Sequence, residues 1–379
     1  MTSSEHESLR HDAINTIRFL SVDAVERAKS GHPGAPMGMA AMAYTLWTRH
    51  LRFDPMDPKW ADRDRVVLSN GHASMLLYSM LYLTGYDLSL DDLKNFRQWG
   101  SKTPGHPEYG FTPGVEVTTG PLGQGFANAV GMAIAEQFLA STFNKGAHHV
   151  VDHHTYVFMG DGCMMEGITS EAASLAGHLE LGKLIAIYDD NSITIDGTTR
   201  ISFTEDVARR FKSYGWHVEE VADGNDVESI DLALRRAKSK EEKPSLIICK
   251  THIGFGSPHK QDTSKAHGSP LGKDEVRLTK EHLGWPLEPE FYLPDGVLEF
   301  YRACGVRSAL RHEAWQGVLN RYEEEEPELS QAFRNALGGT PETGWEDLIK
   351  PYSPSDGAVA TRNVSSRVLN ALASSSVLK

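Results

Sequence analysis

The chain reads as an α/β protein, a mostly parallel sheet covered by helices on both faces, and three observations predict it. Short, nearly continuous apolar runs at 65–68, 155–159, 184–188, 217–221 and 245–249 suit strands buried on both sides. Helix-period segments at 72–83, 126–141, 165–177, 204–213 and 227–238 fall between them, the alternation expected of crossover connections. Glycine and acidic residues follow two strand ends directly, as Gly160-Asp161-Gly162 and Asp189-Asp190-Asn191. In such folds ligands sit beyond the carboxyl ends of the strands.

In chain order, residues 7–30 place Ile14, Ile17, Ser21, Ala24 and Val25 on one helical face and stop before Gly31, a suitable C-cap. The strand and helix runs then alternate as far as Cys249. From about Gly268 the pattern changes to acidic helices joined by proline-bearing connections, and the run at 323–327 suits a solvated helix face. Glycine, proline and serine concentrate at 338–357, which reads as an interdomain linker after a domain at 1–337. The 358–379 stretch is too short to bury a core of its own.

Composition removes several functions. With 51 acidic against 38 basic residues, the net charge of -13 argues against a nucleic-acid surface, so anionic ligands need local groups. The polar, acidic start lacks the features of a signal or transit peptide, and no run approaches the roughly 18 apolar residues of a membrane span. Cys163, Cys249 and Cys304 are widely spaced and fit neither a disulfide framework nor a zinc site. A cytoplasmic protein with reduced thiols, bound to neither nucleic acid nor membrane, is expected.

The acidic pair of motifs carries the chemistry. A carboxylate at a strand end between glycines, with a neutral amide oxygen from Asn191, is a donor set for a hard cation whose other ligands are phosphate oxygens and water. Upstream, Thr118-Thr119-Gly120-Pro121-Leu122-Gly123-Gln124-Gly125 opens into a small-residue helix, where free backbone amides can meet an anion. Four histidines, His32, His72, His106 and His267, lie beside glycine or proline in tight loops that aim side chains rather than pack them. The cluster at 148–154, with His148, His149, His153 and His154, is read as surface and not as a metal centre.

Together these loops, SGHPGAPMG, LSNGHAS, TPGHPE, TTGPLGQG, MGDGCMMEG, YDDNSITIDG and ATRN in this order, resemble the transketolase family over nearly the whole chain. The resemblance implies the diphosphate-type domain of the thiamine-diphosphate-binding fold. It implies that Asp161, the Asn191 side chain and the Ile193 carbonyl bind magnesium or calcium, and that Gly162 and Asn191 contact the diphosphate. Gly120, Pro121, Leu122 and His72 would hold thiamine diphosphate; His32 and His267 would meet the sugar, His267 also lying near the diphosphate. His106 would bond the ketose near its reacting oxygens, and Arg362 would bind the acceptor's phosphate. Glu166 matches a family residue at the subunit contact, and equally suits a helix N-terminus.

The implied activity is transfer of a two-carbon ketol unit from a ketose phosphate to an aldose phosphate, a reaction of pentose phosphate metabolism. The cofactor serves as electron sink, and the protein orients the sugar and moves protons. Family members continue past the segment matching 360–371 into a pyrimidine-binding domain that carries the cofactor-activating glutamate. The resemblance therefore implies a chain cut just inside that domain, working as a homodimer or with a pyrimidine-domain partner. A subunit of a split enzyme, a dihydroxyacetone synthase-like enzyme and a non-catalytic cofactor-binding module stay open beside it. A nicotinamide dehydrogenase and a nucleotide triphosphatase lack their glycine-rich signatures.

Overall fold

The computed structural model describes residues 3–339 and 344–374. Part of the expected linker, 340–343, and the terminal 375–379 lie outside them. The chain divides into two compact units. The first comprises Met1–Ser141 and Val151–Trp315, the second Thr142–Val150 and Gln316–Lys379.

The first unit is built on five parallel strands: β1 (Arg65–Leu68), β2 (Thr155–Gly160), β3 (Leu184–Asp190), β6 (His217–Val221) and β7 (Ser245–Lys250), in the order β1-β2-β3-β7-β6. A two-stranded antiparallel hairpin, β4 (Ile193–Thr194) and β5 (Gly197–Thr198), follows β3. Successive side chains of a strand point to opposite faces, and both faces here are apolar. Val66, Leu68, Tyr156, Phe158, Ile185, Ile187, Ile247 and Cys249 enter one core, with α1 (Ser3–Ala28), α2 (Gly34–Thr45), α3 (Ser74–Thr84), α4 (Leu90–Lys94) and α9 (Val227–Lys238). Val67, Val157, Met159, Leu184, Ala186, Tyr188, Leu246 and Ile248 enter the other, with α5 (Gln124–Phe143), α6 (Asp161–Met165), α7 (Gly167–His178) and α8 (Val207–Ser213). The expected doubly covered parallel sheet is present. Its register pairs Gly160 with Asp189, so the residues just past the ends of β2 and β3 lie side by side.

Four local expectations need correction. The first helix ends in a Schellman turn whose left-handed residue is Lys29, at φ 53°, not Gly31; Ser30 N–H donates to the Val25 carbonyl at 3.3 Å. Gly31 is required for space as well, since a Cβ there would lie 2.9 Å from Val25 Cγ2. The segment after His32 is not only a loop: α2 begins at Gly34, and every one of its residues is buried. The helix expected at 165–177 is α7, which starts at Gly167; a separate short helix that was not expected, α6, precedes it, and the extended Glu166 divides the two. The cluster at 148–154 is only partly surface. His153 is buried among Arg52, Asp62 and Arg65, because burial at the base of β2 is decided by the neighbouring 52–65 segment and not by local polarity.

α10 (Lys273–His282) and the first part of α11 (Val297–Glu325) complete the first unit. Tyr301, on α11, donates its hydroxyl to the Ala13 carbonyl at 3.0 Å. Within the second unit, Phe143 meets Phe333 of α12 (Pro327–Gly338), and Tyr322 donates to the Phe143 carbonyl at 2.8 Å. The unit also carries α13 (Thr361–Ser374). Among the described residues no helix is long and apolar enough to cross a membrane, and Cys163, Cys249 and Cys304 are all buried and free.

Candidate active site

A cleft of ≈ 460 Å³ opens at the carboxyl ends of β2 and β3, with His32, His72, Asp161, Asn191 and His267 in its wall. Asp161 starts α6 directly after β2 and is buried. Its Oδ1 accepts from the Tyr188 hydroxyl at 2.7 Å and its Oδ2 from the Ser192 N–H at 3.0 Å. The second bond depends on Ser192 adopting the left-handed region at φ 61°, a conformation uncommon for serine that turns its amide back toward β2. Burial raises the Asp161 carboxyl to about 6.

Asn191 is held at both ends. Its Nδ2 donates to Asp189 Oδ2 at 2.8 Å, and its Oδ1 accepts from the Ile193 N–H at 3.0 Å. Asp189 is buried beneath it, takes a short hydrogen bond from the Thr251 hydroxyl just past β7, and is raised by burial to about 7. Three strand ends therefore supply this corner: β2 gives Asp161, β3 gives Asn191, and β7 gives the group that orients Asn191 through Asp189.

The glycine loop arrives from the opposite wall. Ser69, just beyond β1, accepts hydrogen bonds from the Phe126 N–H at 3.0 Å and the Cys163 thiol at 3.4 Å, tying the start of α5 to α6. Gly123, at φ 80°, has no room for a side chain: a Cβ would lie 2.9 Å from Glu166 Cβ. Gly162 faces Leu122, whose Cδ1 would be 2.6 Å from a Cβ at that position. Gly120 and Leu122 line the cleft. Glu166 is exposed at the N-cap of α7, and its side chain makes no capping bond.

The four histidines converge although their loops are far apart in sequence. Ring centroids are 5.0 Å apart for His32–His72 and for His72–His267, 5.7 Å for His32–His267, and 6.5 Å for His32–His106. Burial depresses all four imidazoles, His32 to about 4 and His72 well below its ordinary value. The site thus presents neutral rings, which can donate or accept hydrogen bonds according to tautomer. Arg362 lies in the second unit, exposed near the start of α13, whereas the residues lining the cleft belong to the first.

Sequence reasoning missed Tyr188, Thr251, Asn70 and Arg97. Thr251 could have been found by the same rule that found Asp161, since it also follows a strand end. Asn70 lies inside the LSNGHAS loop beside His72. Arg97 had no local signal. Asn70 Oδ1, Thr119 Oγ1 and His267 Nδ1 are buried without a hydrogen-bond partner, an arrangement that suits a polar ligand.

The family description of the transketolase thiamine diphosphate-binding domain matches residues 9–341. The chain belongs to the transketolase family. It is 55% identical over 361 residues to the transketolase of Halalkalibacterium halodurans, spanning 95% of this chain and 54% of that one. Transketolase 2 of Escherichia coli is 54% identical over 368 residues, spanning 96% and 55%. The crystal structure of the Pichia stipitis transketolase in complex with sedoheptulose 7-phosphate superposes with a TM-score of 0.91 at 49% identity, covering 96% of this chain and 54% of that chain. The chain thus spans about half the length of the transketolases it matches, and the half it spans contains the thiamine diphosphate-binding domain.

Proposed function

We propose that this chain supplies the diphosphate and metal half of a transketolase site that moves a two-carbon ketol unit between sugar phosphates. The observation that carries the reading is the gathering of four imidazoles, with His32, His72 and His267 lining the cleft that also holds Asp161 and Asn191, and His106 beside His32. One carboxylate, one amide oxygen and a backbone carbonyl make a hard, oxygen-only donor set suited to magnesium or calcium. Asp161, Asn191 Oδ1 and the Ile193 carbonyl would hold the cation. Gly162 and Asn191 would meet the diphosphate, while Gly120, Pro121, Leu122, His72 and His267 would hold the remainder of thiamine diphosphate.

When bound, thiamine diphosphate supplies the electron sink that allows the sugar's carbon–carbon bond to break. The chain's own part is positional and protonic. His32 and His267 would hydrogen-bond the sugar hydroxyls, and His106 would serve the ketose oxygens at the reacting carbons. Burial keeps all three rings uncharged at neutral pH, so His106 and His267 can exchange protons with hydroxyls without first being neutralised. Arg362 would bind the acceptor's phosphate. The remaining half of the site would come from a pyrimidine-binding segment, on the same polypeptide or across a dimer.

Calorimetry with thiamine diphosphate and Mg²⁺ tests this reading. Saturable binding that requires the cation and disappears in Asp161→Asn is expected. Turnover of xylulose 5-phosphate with ribose 5-phosphate is expected once a pyrimidine-binding segment is supplied. Cation-independent binding, or binding unchanged in the variant, would overturn the metal assignment.

A further inference from the structure

Arg97 belongs to none of the site's motifs, yet it joins two of its histidine loops. Its backbone adopts the left-handed region at φ 61°, and its N–H donates to the Thr103 carbonyl at 2.9 Å. The guanidinium lies 5.4 Å from the Phe96 ring centroid; Nη1 donates to Ser30 Oγ at 2.7 Å, and Nη2 reaches His32 Nδ1 at 3.5 Å. Gly105, next to His106, presses on it from the other side: a Cβ there would lie 3.0 Å from Arg97 Nε. The guanidinium is therefore wedged between the loop carrying His32 and the loop carrying His106.

An arginine is a donor only and keeps its charge. A ring nitrogen that faces it must present a lone pair, which leaves the imidazole proton on the other nitrogen. For His32 that nitrogen is Nε2, which lies 3.4 Å from where a side chain at Gly268 would begin. The rings facing His32 are His72, His106 and His267; Asp161, Glu166, Asp189 and Asp196 also line the cleft, but among the described residues no carboxylate is hydrogen-bonded to the His32 ring.

We propose that Arg97 is a positioning residue that fixes His32 in the tautomer with its proton on Nε2, so that His32 meets the sugar as a hydrogen-bond donor and does not act as a base. This deepens the functional reading above and rests on His32 facing the sugar. Burial is the main cause of the depressed basicity of His32, and the guanidinium beside the ring adds to it by opposing a second proton. Proton acceptance from the substrate then falls to another group in the cleft.

The test is long-range ¹⁵N–¹H correlation NMR on the histidine-labelled chain without cofactor, with the His32 signals assigned by their loss in His32→Asn. At neutral pH, the wild type should show an unprotonated Nδ1 and a protonated Nε2, with no titration of His32 until far below the ordinary imidazole range. Arg97→Leu should give a tautomer mixture and raise the titration midpoint by about one pH unit or more. Arg97→Lys should keep more of the Nε2–H form than Arg97→Leu. Should the leucine variant not fold, Ser30→Ala, which frees Nη1, should move both readouts in the same direction by less. A proton on Nδ1 in the wild type would overturn the proposal, as would a folded Arg97→Leu, or Ser30→Ala in its place, with tautomer and midpoint unchanged. Because these signals are read without cofactor, failure of thiamine diphosphate binding would count against the functional reading and not against this one.

Discussion

At the scale of single residues, the site is governed by groups that orient other groups. Asp161 can offer its carboxylate in one direction because the Tyr188 hydroxyl and the Ser192 amide fix both oxygens. Asn191 is similarly immobilised through Asp189 and Thr251. Partners of this kind that lie behind metal ligands are worth roughly 10- to 100-fold in affinity. Tyr188→Phe is therefore expected to weaken Mg²⁺-dependent thiamine diphosphate binding about 10- to 100-fold, as read by calorimetry, with the fold intact by circular dichroism. An affinity equal to wild type would show that Asp161 needs no such support. Asp161 and Asn191 were legible in the sequence because strand ends and glycines are local signals. Tyr188 was read only as strand, since the hydroxyl's partner is set by the pairing of β2 with β3.

At the scale of elements, glycines mark where backbones meet. Gly177 lies in α7, where alanine normally stabilises a helix by about 1 kcal/mol. Here a Cβ would fall 1.7 Å from the Tyr214 carbonyl oxygen, so the helix cannot keep its seat against the turn leading into β6. Gly177→Ala is expected to destabilise the protein by roughly 1–3 kcal/mol, measured by urea unfolding; a stabilised variant would mean that this approach is not kept in solution. The same scale explains the misread elements. α2 was missed because its sequence, GAPMGMAAMAYT, has no polar face: it is buried on all sides and leaves no helical stripe to detect. α6 escapes the sequence because it is little more than one turn opening at Gly160-Asp161-Gly162, where the glycines signal a turn rather than a helix.

At the scale of the whole molecule, buried charge makes stability sensitive to pairing and to pH. Lys280 and Asp23 form an ion pair at 3.1 Å with both side chains about 3% exposed, and Asp23 also accepts from the Phe291 N–H at 2.7 Å. Removing one partner of such a pair costs about 3–5 kcal/mol. Lys280→Met should show that loss in urea midpoints, and a loss well below 1 kcal/mol would mean that water reaches Asp23. At the base of β2, burial holds His154 down to about 4 and His153 well below its ordinary value. The unfolded chain takes up these protons from about pH 6.5 downward and the folded chain does not. The stabilising contribution is therefore full above that pH and lost as pH falls toward 4, on the order of 3 kcal/mol for His154. Asp62 in the same cluster, raised by burial to about 6, acts with opposite sign between the ordinary carboxylate range and 6 and offsets part of the loss. His154→Phe, which preserves an aromatic ring near Tyr156, should lose less stability between pH 7.5 and 5 than the wild type. An unchanged slope would assign the acid sensitivity elsewhere.

The sequence by itself determined the alternation of strands and helices, the doubly apolar sheet, the glycine-flanked carboxylate and the four histidine loops. Each is written in residues close together along the chain, through period, punctuation and composition. Only the tertiary structure decided that those histidine loops come together beside one cleft, that Thr251 and Tyr188 stand behind Asp189 and Asp161, that Arg97 faces His32, and that His153 is buried. These depend on strand order, register and the crossing of distant segments. Local residue chemistry constrains such relations but does not encode them at any one place in the chain.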